Sequence, residues 1–262
     1  MSRLESVFKQ KKHKILIAYV TIGYPDIEAT SKTVPLLADC GCDIVEMGIP
    51  FSDPMADGAT IQRASYEALQ NGVNIKHCLE IANKLSSKAS IPLVFMTYFN
   101  PVYSYGLDKF CDDCVISGID GLIVPDLTPD EGQTLETVAS KNSLDLIYLL
   151  APNSTEERIK LVARKSRGFI YLVSVAGVTG ARNKVPADLG KFVTRVKQFT
   201  GKPVCVGFGI STPEQAGEVA KIADGVIIGS KLIQLMESDD KAMSKTQAFI
   251  GDVRKELDKV PI

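Results

Sequence analysis

One acidic side chain stands inside an apolar run typical of a buried β-strand. The run is Ile44–Pro50 (IVEMGIP), and alternation along a strand places Glu46 on the same face as Ile44 and Gly48. Burial without a cationic partner raises the pKa of a carboxyl group toward neutrality, so that it can both donate and accept a proton near pH 7. An inward-facing Glu46 is therefore a candidate acid–base group, whereas an outward-facing or paired one would be structural.

The loop after this run supplies two more carboxylates. Asp53 precedes Pro54 and Asp57 precedes Gly58, so each aspartate has the sequence context of a turn residue. A long, turn-rich loop beside an inward carboxylate is also where a second catalytic acid would lie. The residue pattern alone leaves both interpretations open.

Three glycine-rich turns form a second candidate site. They are Gly177–Gly180, Gly207–Ser211 and Gly229-Ser230, each at the end of a predicted late strand. Glycine lets backbone N–H groups approach an anion closely, and a helix N-terminus adds partial positive charge. Any single pair is most simply a tight turn, and Gly207-x-Gly209 lacks the third glycine of a dinucleotide fingerprint. Together the three turns predict a phosphate site.

Eight apolar runs, alternating with amphipathic stretches, must position these groups. The predicted strands are Ile15–Ile22, Asp43–Pro50, Pro92–Phe99, Gly121–Leu127, Asp145–Pro152, Phe169–Ala176, Pro203–Gly209 and Gly225–Ser230. The predicted helices include Ile27–Ala38, Asp130–Lys141, Thr155–Ser166 and Pro213–Ile222. This alternation indicates parallel strands joined by right-handed crossovers. Eight such units favour an α/β fold of the (β/α)₈ TIM-barrel type over a doubly wound open sheet.

The whole chain, residues 1–262, is predicted to form a single barrel domain with a short N-terminal helix. Leu4, Val7 and Phe8 have the spacing of an amphipathic helix. No linker or low-complexity tract divides the chain. In such barrels the active site lies at the carboxyl ends of the strands, where the unusual residues are found.

Composition argues against several classes of partner. The formal net charge of -1 gives no bulk attraction to nucleic acid or to an anionic membrane. The N-terminal stretch lacks the apolar core of a signal peptide, and no apolar run is long enough to span a bilayer. We therefore expect a cytoplasmic protein. Cys111 and Cys114 have CxxC spacing but lack the other two ligands of a structural zinc site, so we predict no metal.

The stretch Glu46–Gly58 (EMGIPFSDPMADG) resembles the signature of the tryptophan synthase alpha chain family, and the similarity continues through all eight units. The resemblance implies a carbon–carbon lyase that splits indole-3-glycerol phosphate into indole and glyceraldehyde 3-phosphate in tryptophan biosynthesis. It also implies catalytic roles for Glu46 and Asp57. The indole ring would accept the electrons of the breaking bond, which removes the need for a lysine Schiff base or a metal.

The resemblance also assigns the remaining site residues. Those matching the indole pocket are Tyr19, Met96, Tyr98, Ile123, Tyr171 and Phe208, although core packing is an alternative, above all for Met96 and Ile123. Thr179 matches a loop threonine that packs near the second carboxylate on closure. The phosphate positions are Gly180, Gly209, Gly229 and Ser230. No cofactor is expected in this chain; a pyridoxal-phosphate beta subunit is the expected partner, in an α₂β₂ heterotetramer.

Two loops depart from the family pattern. Ala59 stands where proline is common after Asp-Gly, and Asp126–Glu131 (DLTPDE) replaces the usual DLPxEE. Both lie near the expected partner-facing rim, so they bear on loop stiffness and docking. Two other functions remain open: another phosphate-binding barrel lyase or isomerase, which would need a His or Lys near the strand ends, and a non-catalytic barrel that only activates a beta subunit.

Overall fold

A computed structural model describes residues 1–10, 12–173, 188–207, 209–237 and 241–262. Within these ranges the chain forms a parallel sheet of nine strands in the order β5-β4-β3-β2-β1-β9-β8-β7-β6. The strands are β1 Ile15–Thr21, β2 Ile44–Gly48, β3 Leu93–Met96, β4 Gly121–Ile123, β5 Asp145–Ile147, β6 Leu149–Leu150, β7 Ile170–Val173, β8 Val204–Gly207 and β9 Gly225–Ile228.

The sheet closes into a barrel at a single interrupted strand. β5 pairs with β4 and β6 pairs with β7, and only Tyr148 separates β5 from β6 in the chain. The Tyr148 carbonyl accepts a hydrogen bond from the Tyr171 backbone at 3.2 Å, which continues the pairing toward β7. β5 and β6 together therefore form one of the eight barrel strands. The predicted (β/α)₈ TIM barrel is confirmed.

Helices surround the barrel. In the described part of the chain they are α1 Arg3–Gln10, α2 Ile27–Asp39, α3 Ala59–Gln70, α4 Ile75–Ser86, α5 Phe99–Tyr105, α6 Leu107–Ile116, α7 Gln133–Lys141, α8 Glu156–Lys165, α9 Leu189–Lys197, α10 Pro213–Ala220, α11 Ser230–Leu235 and α12 Ala242–Asp258. Threonine caps begin two of them: the Thr155 and Thr212 side chains accept hydrogen bonds from backbone N–H groups in the first turns of α8 and α10.

Most predicted strands extend too far at their carboxyl ends. The third ends at Met96, and Phe99 already begins α5; the fourth ends at Ile123. Residues beyond these ends, such as Tyr98, Val124 and Leu127, continue the hydrophobic run because their side chains are still buried. Their backbones no longer pair with a neighbouring strand. The sixth strand is described only to Val173.

Two apolar layers hold the barrel together. Outward-facing residues such as Val45 and Met47 belong to the large core between the sheet and the helices. Inward-facing residues, including Ile17, Ile44 and Phe169, fill the barrel interior. This division confirms the alternation predicted for β2, which places Glu46 on the same side as Ile44.

Helix α1 seals the amino-terminal end of the barrel. Leu4 is fully buried in the interior cluster, and Phe8 packs on Phe169 with their ring centroids 5.8 Å apart. The Arg3 guanidinium donates to the Asp120 carboxylate at 3.1 Å and to the Ser90 carbonyl at 2.8 Å. This end is closed and tightly packed, so the open end of the barrel must be the carboxyl-terminal one.

We predict that Leu4→Ala lowers the free energy of unfolding by about 2–4 kcal/mol, because it leaves a cavity in a packed interior. Urea denaturation followed by circular dichroism measures the change. The control is Lys9→Ala on the exposed side of the same helix, which is expected to change stability by less than about 0.5 kcal/mol. Equal effects of the two substitutions would show that α1 does not seal the interior.

Candidate active site

Glu46 lies at the floor of a cavity at the carboxyl-terminal end of the barrel. The cavity has a volume of about 460 Å³ and is lined by residues from β1, β2, β7 and β9, among others. Glu46 is 1% exposed, and neither of its carboxylate oxygens has a hydrogen-bond partner among the described residues. Burying a polar group without a partner lowers the stability of the folded protein, so the position of Glu46 points to a role in function rather than in stability.

Two tyrosines enclose Glu46, and two glycines make room for them. Tyr19 is the register partner of Glu46 on the neighbouring strand, and Tyr171 lies on β7. A Cβ atom at Gly48 would overlap the Tyr19 hydroxyl, and one at Gly207 would overlap the Tyr171 hydroxyl. The absent side chains at these two strand positions therefore allow both rings to turn across the barrel opening.

Burial sets the protonation of both carboxylates. Desolvation, with the nearby negative charge of Asp57, raises the pKa of Glu46 to about 8. Desolvation also raises the pKa of Asp57, to about 6, because a hydrogen bond from Tyr98 offsets part of the effect. Between these values Glu46 is mainly neutral and Asp57 mainly ionised. The site thus presents a proton donor beside an anionic acceptor.

The loop between β2 and α3 carries Asp57 into the cavity. Two turns shape it, with the Met55 N–H donating to the Asp53 carbonyl and the Asp57 N–H to the Pro54 carbonyl. The Gln62 side-chain amide donates to the Asp57 carbonyl at 2.8 Å. The loop is therefore held in place by its own turns and by the first residues of α3.

Two glycines and a serine at the ends of β8 and β9 also line the cavity. Gly209 follows β8 with a φ of 70°, a conformation that favours glycine, and Gly229 precedes α11. Ser230, the first residue of α11, is 5% exposed and also lines the cavity. Arg158 is the one cationic side chain among the described lining residues, and it is paired with Asp130 at 2.6 Å. An anion on this side would be held by neutral donors.

Comparisons with known proteins now identify the family. The model of the tryptophan synthase alpha chain family matches residues 6–259. The chain is 57% identical to a tryptophan synthase alpha chain from Dehalococcoides mccartyi, over 98% of this chain and 100% of that one. It is 46% identical to the alpha chain of Geobacter sulfurreducens, covering 90% and 91% of the two chains.

Solved structures agree with the sequence comparisons. A tryptophan synthase structure from Mycobacterium tuberculosis superposes with a TM-score of 0.92 at 40% identity, covering 98% of each chain. The alpha subunit from Legionella pneumophila gives a TM-score of 0.91 at 33% identity, covering 99% of this chain and 100% of that one. The chain belongs to the tryptophan synthase alpha chain family. Its reaction is the cleavage of indole-3-glycerol phosphate, a carbon–carbon lyase step of tryptophan biosynthesis.

Membership of this alpha chain family implies a beta-subunit partner. Across the described ranges, no helix is long and apolar enough to cross a membrane. The same residues contain no group of three or more His, Cys, Asp or Glu side chains that could hold a metal ion. Cys111 and Cys114, which have CxxC spacing, are both buried in the outer core.

The structure brings most of the predicted site residues to one cavity. Its lining includes Tyr19, Glu46, Asp57, Met96, Tyr171, Gly209, Gly229 and Ser230. Tyr98 and Ile123 are not among the lining residues: Tyr98 lies against the loop that carries Asp57, and Ile123 belongs to the interior cluster. Thr179, Gly180 and Phe208 lie outside the described residues, so their predicted roles in this alpha chain site stay predictions.

Several lining residues were missed in the sequence. They include Ile61, Pro125, Leu127, Leu149, Val173 and Ile227. Alternation from the inward-facing Ile147 would have pointed to Leu149, because both side chains face the same side of an interrupted strand. Ile61 gives no such signal, since it faces the site from the first turn of α3 and resembles any buried helical residue.

We predict that Glu46→Gln stabilises the protein, and more so at high pH. The pKa of Glu46 lies above its ordinary value of 4.5, so its ionisation opposes folding increasingly as pH rises from there to about 8. The variant should be more stable than the parent by about 2–4 kcal/mol near pH 9 and nearly equal to it near pH 5.

Chemical denaturation across this pH range measures the difference. Glu80→Gln, on the exposed face of α4, is the matched control and should give no pH-dependent gain. A Glu46→Gln variant that is less stable than the parent at high pH would mean that the carboxylate has a stabilising partner.

Proposed function

We propose that Glu46 and Asp57 divide the acid–base work of indole-3-glycerol phosphate cleavage. The observation that carries the proposal is the placement of Glu46, a buried carboxyl group with no hydrogen-bond partner among the described residues, facing a cavity large enough for the substrate. A carboxyl group whose pKa is near 8 is protonated at the start of a reaction near pH 7 and can be reprotonated at its end.

The neutral Glu46 carboxyl protonates C3 of the indole ring in the first step. The ring becomes an indolenine with positive charge at its nitrogen, and the ionised Asp57 accepts the ring N–H and stabilises that charge. The Glu46 carboxylate then removes the proton from the side-chain hydroxyl. The C–C bond breaks, its electron pair restores the aromatic indole, and the hydroxyl carbon becomes the aldehyde of glyceraldehyde 3-phosphate.

The glycine-lined side of the cavity is proposed to hold the phosphate. Gly209 and Gly229 let the backbone approach the anion, and Ser230 adds a hydroxyl donor. Gly180 and Thr179 are expected to contribute from the loop after β7. Tyr19, Met96 and Tyr171 would pack against the indole ring, because they line the same cavity as Glu46. Indole contacts for Tyr98, Ile123 and Phe208 stay predictions from the resemblance.

The expected assembly is an α₂β₂ heterotetramer in which pyridoxal phosphate is held by the beta subunit and no cofactor by this chain. Family membership supports the pairing. The exposed loop residue Met55, 86% accessible beside the cavity, offers an apolar contact at the barrel opening.

Ala59 is the first residue of α3, a helix position that tolerates proline well. The difference between Ala59 and the proline common in the family therefore changes the stiffness of the loop rather than the helix. A single domain and a cytoplasmic location remain predictions.

We predict that Glu46→Gln abolishes indole release, whereas Asp57→Asn lowers kcat by about 10²–10⁴-fold, because Asn keeps a neutral acceptor oxygen. Indole release is measured spectrophotometrically with and without a beta subunit. Substrate binding by Glu46→Gln should persist, since the residue does not contact the proposed phosphate side. Near-parental turnover by this variant would refute its role, and a parent inactive even with the beta subunit would favour a non-catalytic barrel.

We also predict a bell-shaped pH dependence of kcat/KM, the parameter that reports ionisations of the free enzyme. Activity should fall below about pH 6, where protonated Asp57 no longer stabilises the indolenine, and above about pH 8, where ionised Glu46 has no proton to donate. Stopped assays in overlapping buffers measure both limbs. A profile that rises steadily through pH 9 would contradict the assignment of Glu46 as the initial acid.

A further inference from the structure

Tyr98 occupies a junction from which it contacts the catalytic loop. It lies between the end of β3 at Met96 and the start of α5 at Phe99. Its side chain is 4% exposed, and it is absent from the residues that line the cavity. Among the described residues, its contacts are with the loop between β2 and α3 rather than with the space available to a ligand.

Both ends of the Tyr98 side chain engage that loop. The ring packs on Phe51, with centroids 5.3 Å apart. The hydroxyl oxygen accepts a hydrogen bond from the Ala56 N–H at 3.0 Å, one residue before Asp57, and the interaction of this hydroxyl with the Asp57 carboxyl lowers the pKa of that carboxyl. One side chain therefore holds the loop at its beginning and directly beside the residue proposed to accept the indole N–H.

The backbone and the side chain of Asp57 are held by different groups. Gln62, from α3, binds the Asp57 carbonyl and not its carboxylate. Among the described residues, the Tyr98 hydroxyl is the side-chain donor that lowers the pKa of the Asp57 carboxyl. Because this hydroxyl binds the loop backbone at Ala56 and acts on the neighbouring carboxyl, it can set the direction of the carboxylate relative to the loop.

Tyr98 is itself fixed from the end of the next strand. The Asp126 carboxylate accepts a hydrogen bond from the Phe99 N–H at 2.9 Å and thereby holds the first turn of α5, which Tyr98 precedes. Asp126 follows β4, so the position of the tyrosine hydroxyl depends on two adjacent barrel strands. The barrel strands β3 and β4 thus help to fix the position of the loop between β2 and α3.

We propose that Tyr98 is a positioning residue that orients the Asp57 carboxylate toward the indole nitrogen through its hydroxyl group. The inference rests on the role proposed for Asp57 and adds the group that aligns it. It differs from an indole-contacting role for Tyr98, which would act through the ring. Catalysis depends on such alignment because a misdirected acceptor stabilises the developing charge poorly.

The titratable groups around Asp57 determine the expected pH effect. From the described elements these are Glu46 on β2, Tyr19 on β1, Tyr171 on β7 and Tyr98 after β3, with Asp126 acting on Tyr98. Desolvation dominates the raised pKa of Asp57, and the Tyr98 hydrogen bond lowers that pKa. Removing the hydroxyl must therefore raise the pKa of Asp57 further.

The test is Tyr98→Phe, which keeps the ring on Phe51 and removes only the hydroxyl. We expect kcat for indole release to fall about tenfold while KM changes by less than about twofold. The acidic limb of the kcat/KM profile should move to higher pH by about one unit. Tyr103→Phe, on the exposed face of α5, is the matched control and should leave kcat and the pH profile unchanged.

A double-mutant cycle separates the positioning role of Tyr98 from the proposed catalytic role of Asp57. In an Asp57→Asn background, Tyr98→Phe should change kcat by less than about twofold, since the carboxylate it orients is gone. Full activity of Asp57→Asn would overturn the proposed function. Loss of activity in Asp57→Asn, together with a parental acidic limb in Tyr98→Phe, would overturn only the positioning role. A higher KM with unchanged kcat in Tyr98→Phe would also overturn it, because that pattern indicates a hydroxyl that contributes to substrate binding rather than to the alignment of Asp57.

Discussion

The energetic cost of burying an unpaired carboxyl group governs the organisation of this barrel. Glu46 is enclosed by apolar and aromatic side chains, and no hydrogen bond from the described residues reaches its oxygens. Water would solvate the ionised form, and a cation would stabilise it, but either change would lower the pKa of Glu46 and make it a weaker acid–base partner near neutral pH. The burial of Glu46 away from water and cations, which lowers the stability of the fold, is therefore the property on which the proton transfer depends.

The strands around Glu46 are adapted to preserve this isolation. Tyr19 and Tyr171 could not cross the barrel opening if Gly48 and Gly207 carried side chains. The two rings line the same cavity as the buried carboxyl group, together with apolar side chains such as Met96 and Ile227. The nearest second charge, on Asp57, comes from a loop and repels the ionised form of Glu46. The proton of Glu46 is thus retained by burial and by a neighbouring anion together.

The sequence allowed the barrel and the two carboxylates to be predicted, because both leave local signals. Alternation within Ile44–Gly48 placed Glu46 on the same face as Ile44, which the structure shows to be the inner one, and the strand–helix order predicted parallel strands. Strand ends were predicted less well, since apolar residues such as Val124 stay buried after pairing stops. The interruption at Tyr148 gave no signal, because a single unpaired residue does not alter hydrophobicity. Contacts between distant segments, such as Tyr98 with Asp57, depend on how the loop folds back and cannot be deduced from spacing.

The two buried acids at β2 show how one strand serves stability and chemistry at opposite ends. Asp43, just before the strand, is 1% exposed, yet its carboxylate accepts from the Leu16 N–H at 2.9 Å and contacts His13 and Arg254. These contacts join β1, β2 and α12 at the closed end of the barrel. Glu46 is equally buried and has no such partners in the part of the chain that the structure describes. Burial alone therefore does not identify a functional acid; the difference lies in the partners, which satisfy Asp43 as part of the fold and leave Glu46 available to a substrate.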